Sequence, residues 1–172
     1  MRALLLAGLV VLSGCAAVGP GASPTASPIP TPTGPCDVAD RPSPDADGDE
    51  VEPDEYPERP DSLTAETVGA YVTSFEETYI QNAALAGGEN VTYIETYAND
   101  VNVTAHGDVY VVRLTSYTNG AYHDTGEETP IEVHWDGAPE PVTYLVTEGR
   151  TIRGEGDLAP DRLRHQPTVA CF

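Results

Sequence analysis

The feature that most constrains the fold of this 172-residue chain is a change in the spacing of its apolar residues at Gly87-Gly88. Before the two glycines, apolar residues recur every three or four positions, which is the period of a helix with one buried face. Thr64 precedes this stripe as a candidate N-cap, and the glycines supply a stop. The sequence therefore predicts one amphipathic helix of about 20 residues. The stripe consists of Val68, Tyr71, Val72, Phe75, Tyr79 and Ala83.

After Gly88 the apolar period becomes two, which is typical of half-buried strands. Val91, Tyr93 and Tyr97 alternate with Thr92, Ile94 and Thr96, and an irregularity is expected at Asn99-Asp100. Four dipeptides typical of turns separate the segments that follow: Gly107-Asp108, Asn119-Gly120, Asp136-Gly137 and Glu148-Gly149. The predicted strands cover residues 91–105, 109–117, 131–135, 142–147 and 150–153.

This element order predicts an α+β domain in which one N-terminal amphipathic helix packs on an antiparallel sheet of four to five strands. The order resembles the cystatin-like class of folds. The resemblance implies a fold and no activity, because the chain has no inhibitory loop of the Gln-x-Val-x-Gly kind. We expect the tail from Asp157 to Phe172 to run back toward Cys36.

The first fifteen residues resemble the export signal of a lipoprotein. Arg2 precedes an apolar run from Ala3 to Leu12, which is too short for a bilayer-spanning helix of about 20 residues. The ending Leu12-Ser13-Gly14-Cys15 resembles a lipobox, and this implies cleavage before Cys15 and lipidation of its thiol. We therefore assign residues 1–14 to a signal peptide and 15–35 to the lipidated Cys15 and a Pro/Thr/Ser-rich tether. Residues 36–61 form an acidic, mobile segment, and 62–172 form a single domain.

The charge balance indicates the environment of the protein and excludes some partners. The chain has 28 acidic residues and eight basic ones, all of them arginine, for a formal net charge of −20. The negative charges repel one another and oppose a compact fold in dilute buffer. At about 1 M salt the Debye length is about 3 Å, so this repulsion between charges is screened. The lysine-free, acidic composition resembles that of extremely halophilic archaeal proteins. Nucleic acid is excluded as a partner, because proteins bind its phosphate backbone through Lys and Arg, and this chain is strongly acidic.

Three cysteines have two expected roles. If Cys15 carries lipid, Cys36 and Cys171 remain as an even pair in an extracytoplasmic, oxidising compartment. We expect a disulfide between them that closes almost the whole domain. Two free thiols are the alternative.

Two sequons are candidates for N-glycosylation in an exported chain. They are Asn90-Val91-Thr92 and Asn102-Val103-Thr104, so the acceptor residues would be Asn90 and Asn102. A glycan at either position would add solubility and protease resistance.

Neither catalytic nor metal-binding residues are predicted. His106 with Asp108, and His123 with Asp124, could supply metal ligands, but both histidines lie beside predicted turns. His134 alternates outward between Val133 and Trp135, and no histidine pair has the spacing of a helical zinc motif. We therefore expect no metal and no cofactor.

Nine tyrosines against two phenylalanines are typical either of a recognition surface or of a core whose margins meet water, and the core interpretation is favoured. We expect a lipid-anchored module on the outer face of the cytoplasmic membrane that binds an envelope protein or a small solute. The alternative is a small extracytoplasmic hydrolase or metal-dependent enzyme.

Overall fold

A 23-residue helix lies across one face of a six-stranded antiparallel sheet in the computed structural model, which describes residues 29–44, 50–88, 90–126 and 129–172. The α+β class and the antiparallel sheet expected from the sequence are confirmed. The elements in chain order are α1 (Ala65–Gly87), β1 (Val91–His106), β2 (Val109–Asp124), β3 (Ile131–Asp136), β4 (Glu140–Val146), β5 (Arg150–Glu155), α2 (Pro160–Leu163) and β6 (Thr168–Cys171).

The sheet has six strands instead of the predicted four to five. The helix lies at Ala65–Gly87, over the residues that the apolar stripe predicts, and is not at the N-terminus of the chain. The additional strand is β6, which pairs with β5. β6 has only four residues, which are too few to show a periodic pattern of apolar residues. The sequence after Asp157 therefore predicts no strand.

The predicted turn at Asn119-Gly120 is also wrong, because β2 runs through it to Asp124. β2 pairs with β1 along its length, with β4 through Tyr110–Ser116, and with β3 through Asn119–Asp124. The Trp135 ring of β3 lies against Gly120, where a Cβ atom would collide with it. Gly120 therefore makes room for an aromatic ring and does not form a turn.

Local hydrogen bonds define the start of α1 where the sequence predicts it. The Thr64 hydroxyl accepts from the Thr67 amide at 3.2 Å, and the Thr67 hydroxyl accepts from the Thr64 amide at 2.9 Å. This reciprocal pair satisfies two amides that helical hydrogen bonds leave free. At the other end, the amide of Gly88 donates to the carbonyl of Leu85.

The main core lies between α1 and the sheet. Val68, Val72 and Phe75 of α1 are buried against Val112 of β2 and Tyr144 of β4. No helix within the described ranges is long and apolar enough to cross a membrane.

A buried ion pair joins α1 to the sheet. Glu76 is 0% exposed, and its carboxylate accepts two hydrogen bonds from Arg153 of β5, from Nε at 2.8 Å and from Nη2 at 2.9 Å. The Tyr144 hydroxyl donates to the same carboxylate at 2.5 Å. The Arg153 guanidinium also lies 4.1 Å from the ring centroid of Tyr79. Each charged group of the cluster therefore has specific partners, as a buried charge requires.

The shifts in the pKa values of Arg153 and Tyr144 agree with this buried ion pair. Burial opposes the charge of Arg153, but the hydrogen bonds and the charge of Glu76 outweigh burial and raise the pKa of Arg153. Burial, followed by the negative charge of Glu76, raises the pKa of Tyr144 well above its ordinary value. Tyr144 therefore keeps its proton, and its hydroxyl donates a hydrogen bond to Glu76.

The two ends of the described chain meet at a disulfide. The sulfur atoms of Cys36 and Cys171 are 2.09 Å apart, and the two residues are separated by 135 positions in sequence. The amide of Ala39 also donates to the carbonyl of Thr168, beside the pair. The segment before the helix thus reaches the last strand, as the cysteine count predicts.

The segment predicted to be acidic and mobile contacts the domain at several described residues. The Tyr56 ring lies 4.9 Å from the ring of Phe75, and the Asp54 amide donates to the side chain of Asn82 at 3.0 Å. The Glu50 amide donates to the carbonyl of Val91.

We expect Glu76→Ala to lower the free energy of unfolding by about 3–5 kcal/mol, because it leaves the Arg153 charge buried without its carboxylate. Chemical denaturation in concentrated salt measures the change. Glu58→Ala, at an exposed carboxylate, is the matched control and should change stability by no more than about 0.5 kcal/mol. The double variant Glu76→Leu/Arg153→Met should recover much of the loss. Equal effects of the Glu76 and Glu58 substitutions would contradict the assignment.

Removal of the disulfide should also destabilise the domain. The chain-entropy estimate for a loop of about 136 residues is about 5 kcal/mol, and losses of about 2–5 kcal/mol are usual. Cys36→Ser/Cys171→Ser, compared with the parent by thermal unfolding, measures the loss. The predicted result is a lower melting temperature with the same circular dichroism spectrum at low temperature. An unchanged melting temperature would contradict the prediction.

Candidate functional site

The sequence-predicted site residues lie apart from one another. Cys15, the predicted lipidation site, is outside the described residues. Cys36 and Cys171 form the terminal disulfide. Asn90 is half-buried beside the start of β1, whereas Asn102 is exposed within β1.

The histidines are dispersed and form no metal centre with other described residues. His106 ends β1, and His123 lies near the end of β2. His134 is exposed on β3, as its position predicts, and pairs with Glu132 at 2.8 Å. His165 follows α2 and accepts from Arg164 at 3.3 Å. Within the described ranges, no three His, Cys, Asp or Glu side chains converge in a manner that could hold a metal ion.

The sheet face opposite α1, here called the back face, is divided into a covered and an open half. In the covered half, Val111, Leu145 and Ile152 are buried beneath Leu163 of α2 and are packed by Leu158. Gly154 allows this close approach, because a Cβ there would lie 2.5 Å from a Leu158 methyl carbon. The open half lies farther along β1 and β2, beyond α2.

Five side chains of the open half form a cluster that we call the tyrosine face: Tyr93, Glu95, Tyr97, Tyr117 and Asn119. Cross-strand pairing places Glu95 opposite Asn119 and Tyr97 opposite Tyr117. The Tyr97 and Tyr117 rings are stacked, with centroids 4.6 Å apart and planes at 17°. Tyr93 is 43% exposed. Side chains two positions apart along a strand lie on the same face of the sheet, and so do residues paired across two strands. Tyr93, Glu95 and Tyr97 of β1 therefore share one face with Tyr117 and Asn119 of β2.

A β-bulge places the tyrosines on this face. The pairing of β1 with β2 shifts between Val91 and Tyr93, so that β1 contains one extra residue, Thr92. Val91 is consequently buried on the α1 side, whereas Tyr93 and Tyr97 lie on the back face. The simple alternation of Val91, Tyr93 and Tyr97 expected from the sequence is therefore interrupted at Thr92.

Glu95 is the polar centre of the tyrosine face. Its carboxylate accepts from the Tyr97 hydroxyl at 2.8 Å and also receives side-chain hydrogen bonds from Tyr93 and Asn119. These hydrogen bonds, that of Tyr93 foremost, lower the pKa of Glu95. For each of Tyr93 and Tyr97, the hydrogen bond to Glu95 is the main cause that raises the pKa of the phenol. The cluster thus presents an ionised carboxylate held between phenol groups.

The charges around the tyrosine face are mainly negative. Glu132 and Asp136 of β3 lie opposite His123 and Asn119 and share the back face with them. Arg113 of β2, which lies opposite Asn102, is paired with Asp157 at 2.5 Å.

Depressions elsewhere on the surface do not coincide with this cluster. One of about 520 Å³ lies at the start of α1 and is lined by Arg59, Asp61, Asp108, Tyr110, Glu148 and other residues. Another, of about 440 Å³, adjoins Arg153, whose guanidinium is already bound to Glu76.

The chain matches no protein-family model, and no curated protein and no solved structure is significantly similar to it.

We expect Glu95→Gln to lower the pKa of Tyr93 toward its ordinary value of 10.0, because a neutral amide stabilises the phenol proton less than a carboxylate does. In the unmodified chain the lowered pKa of Glu95 and the raised pKa of Tyr93 keep the hydrogen bond intact across neutral pH. This hydrogen bond is lost only when the pH falls below the pKa of Glu95 or rises above the pKa of Tyr93.

A near-ultraviolet titration of the tyrosines measures this change, and Tyr93→Phe identifies the step that belongs to Tyr93. Glu132→Gln, at an exposed carboxylate on the same face, is the matched control and should leave that step in place. A Tyr93 step that is the same in the Glu95→Gln variant as in the parent protein would contradict the assignment.

Proposed function

We propose that this protein is a lipid-anchored, extracytoplasmic interaction module whose tyrosine face binds an envelope protein. The observation that carries the proposal is the cluster of Tyr93, Tyr97 and Tyr117 around Glu95 on the open half of the back face. In the covered half of the same face, α2 and its neighbours bury the apolar side chains.

The chemistry of the cluster supports recognition of a protein surface. Tyrosine supplies a large ring and a hydrogen-bonding hydroxyl at a low cost in side-chain entropy, and it is enriched at the centres of protein interfaces. The hydrogen bonds to Glu95 hold Tyr93 and Tyr97 in place before any partner arrives, which lowers the ordering cost of binding. Small-molecule sites are generally concave, whereas this cluster stands on an open strand surface.

Charge narrows the choice of partner. Glu95, Glu132 and Asp136 make the face negative, and Arg113 beside it is neutralised by Asp157. A partner surface that offers arginine or lysine opposite Glu95 would be complementary to it. A phosphate-rich partner would be repelled.

The location is proposed from the N-terminal sequence. Lipidation at Cys15 and a tether to residue 35 would hold the domain outside the membrane, at about 3 Å per tether residue. The lysine-free acidic surface supports a halophilic setting, in which salt screens the self-repulsion. The alternative, a small hydrolase or metal-dependent enzyme, is favoured by no observation among the described residues.

Site-specific photo-crosslinking in the cells that make the protein tests the proposal. With a photoreactive amino acid in place of Tyr93, we expect one discrete adduct to another envelope protein, through a peptide that contains Arg or Lys. Tyr97→Ala/Tyr117→Ala should reduce the yield by about tenfold or more, the loss expected when interface tyrosines contribute more than about 1 kcal/mol each.

The matched control places the same photoreactive residue at Ser74, which is exposed on α1. Circular dichroism verifies that each variant is folded. Equal adducts from positions 93 and 74, an adduct to a second copy of the chain, or an adduct to a saccharide would each contradict the proposal.

A further inference from the structure

The two sequons differ sharply in accessibility. Both are Asn-Val-Thr triplets, so their sequences alone give no reason to prefer one. A transferase must reach the Asn amide and the Thr hydroxyl of an acceptor. In the folded structure Asn102 is exposed and Thr104 is half-buried, whereas Asn90 is half-buried and the Thr92 hydroxyl oxygen is buried.

The Asn90 sequon is closed in the folded protein. Asn90 is half-buried, has a φ of 57° in the left-handed region, and its carbonyl accepts from the His123 amide at 3.0 Å. The Thr92 hydroxyl oxygen is buried and has no hydrogen-bond partner among the described residues. A glycan at Asn90 would require this junction between α1 and β1 to open.

The Asn102 sequon is open. Asn102 is exposed and follows the second pairing irregularity of β1, between Asn99 and Asn102. Asp100 in this irregularity has a φ of 55°, and Val101 is 39% exposed. The extra residue interrupts the ladder just before Asn102, which lies opposite Arg113 and is exposed to solvent.

The position of Asn102 also has a consequence for the sheet. β1 is 16 residues long and ends the strand order of the sheet, so within the described residues no strand pairs with its outer edge. A long edge strand is a template for pairing with another chain, and proteins protect such edges with bulges, charges or bulky cover. Asn102 lies in the second half of this strand.

We propose that Asn102, and not Asn90, carries an N-linked glycan, and that this glycan shields the β1 edge from pairing with a second copy of the chain. The inference depends on the export that the proposed function includes. The donor is a lipid-linked, phosphate-activated glycan. The Asn102 Nδ2 atom forms a bond to the anomeric carbon and loses one proton, and the bond from that carbon to the phosphate oxygen breaks, so that the lipid phosphate leaves.

Peptide mass spectrometry of the protein from its own cells tests the site. We expect the Asn102 peptide to carry the glycan and the Asn90 peptide to be unmodified. A glycan at Asn90, or an unmodified Asn102 in a chain whose Cys15 is lipidated, would overturn the inference and leave the proposed anchoring intact. An N-terminal peptide that retains Met1 and an unmodified Cys15 would overturn both.

Matched variants test the shielding. Thr104→Ala removes the sequon, whereas Thr104→Ser retains it, so only the first should lose the glycan mass. Analytical ultracentrifugation should then show dimers or larger species for Thr104→Ala at concentrations at which Thr104→Ser and Asn90→Gln remain monomeric. Thr104→Ala protein that lacks the glycan but sediments as the Thr104→Ser variant does would overturn the shielding role.

Discussion

The buried contact between Glu76 and Arg153 is the interaction on which the arrangement of this domain most depends. It joins the middle of α1 to β5, and the Tyr144 hydroxyl adds β4 to the same carboxylate. A buried charge pair tolerates little displacement, because any shift leaves a charge without its partner. Apolar contacts such as Phe75 with Tyr144 supply burial but permit sliding. The ion pair therefore sets where the helix lies on the sheet.

The tyrosine face depends on a different constraint, the extra residue in β1. Thr92 shifts the pairing so that Val91 joins the core beneath α1 while Tyr93 and Tyr97 lie on the opposite face. On that face the ring of Tyr97 stacks on the ring of Tyr117. The carboxylate of Glu95 accepts hydrogen bonds from the hydroxyl groups of Tyr97 and Tyr93. The same long strand thus supplies the core, the proposed binding surface and the exposed Asn102.

The sequence predicts the elements whose signals are local. Thr64 as the cap of α1 and the turn at Gly107-Asp108 follow from local residue types and spacing, and the structure contains both. The disulfide between Cys36 and Cys171, which the structure also contains, is expected from the cysteine count and not from a local signal. The failures come from long-range contacts. Gly120 serves Trp135 and not a turn, and nothing in the sequence distinguishes Thr92 as a bulge. The nine tyrosines are the one sequence signal for the candidate site. The core interpretation is correct for Tyr71, Tyr79 and Tyr144, which are buried, but it does not describe the exposed Tyr93.

Proton–proton contacts measured by nuclear magnetic resonance in concentrated salt report where the rings of Tyr93 and Tyr97 lie. We expect contacts between the ring protons of Tyr97 and Tyr117, and none from Tyr93 or Tyr97 to Phe75 of α1. Ring contacts from Tyr97 to Phe75 would show that β1 has no bulge at Thr92 and that the tyrosines belong to the core, which would contradict the proposed binding surface.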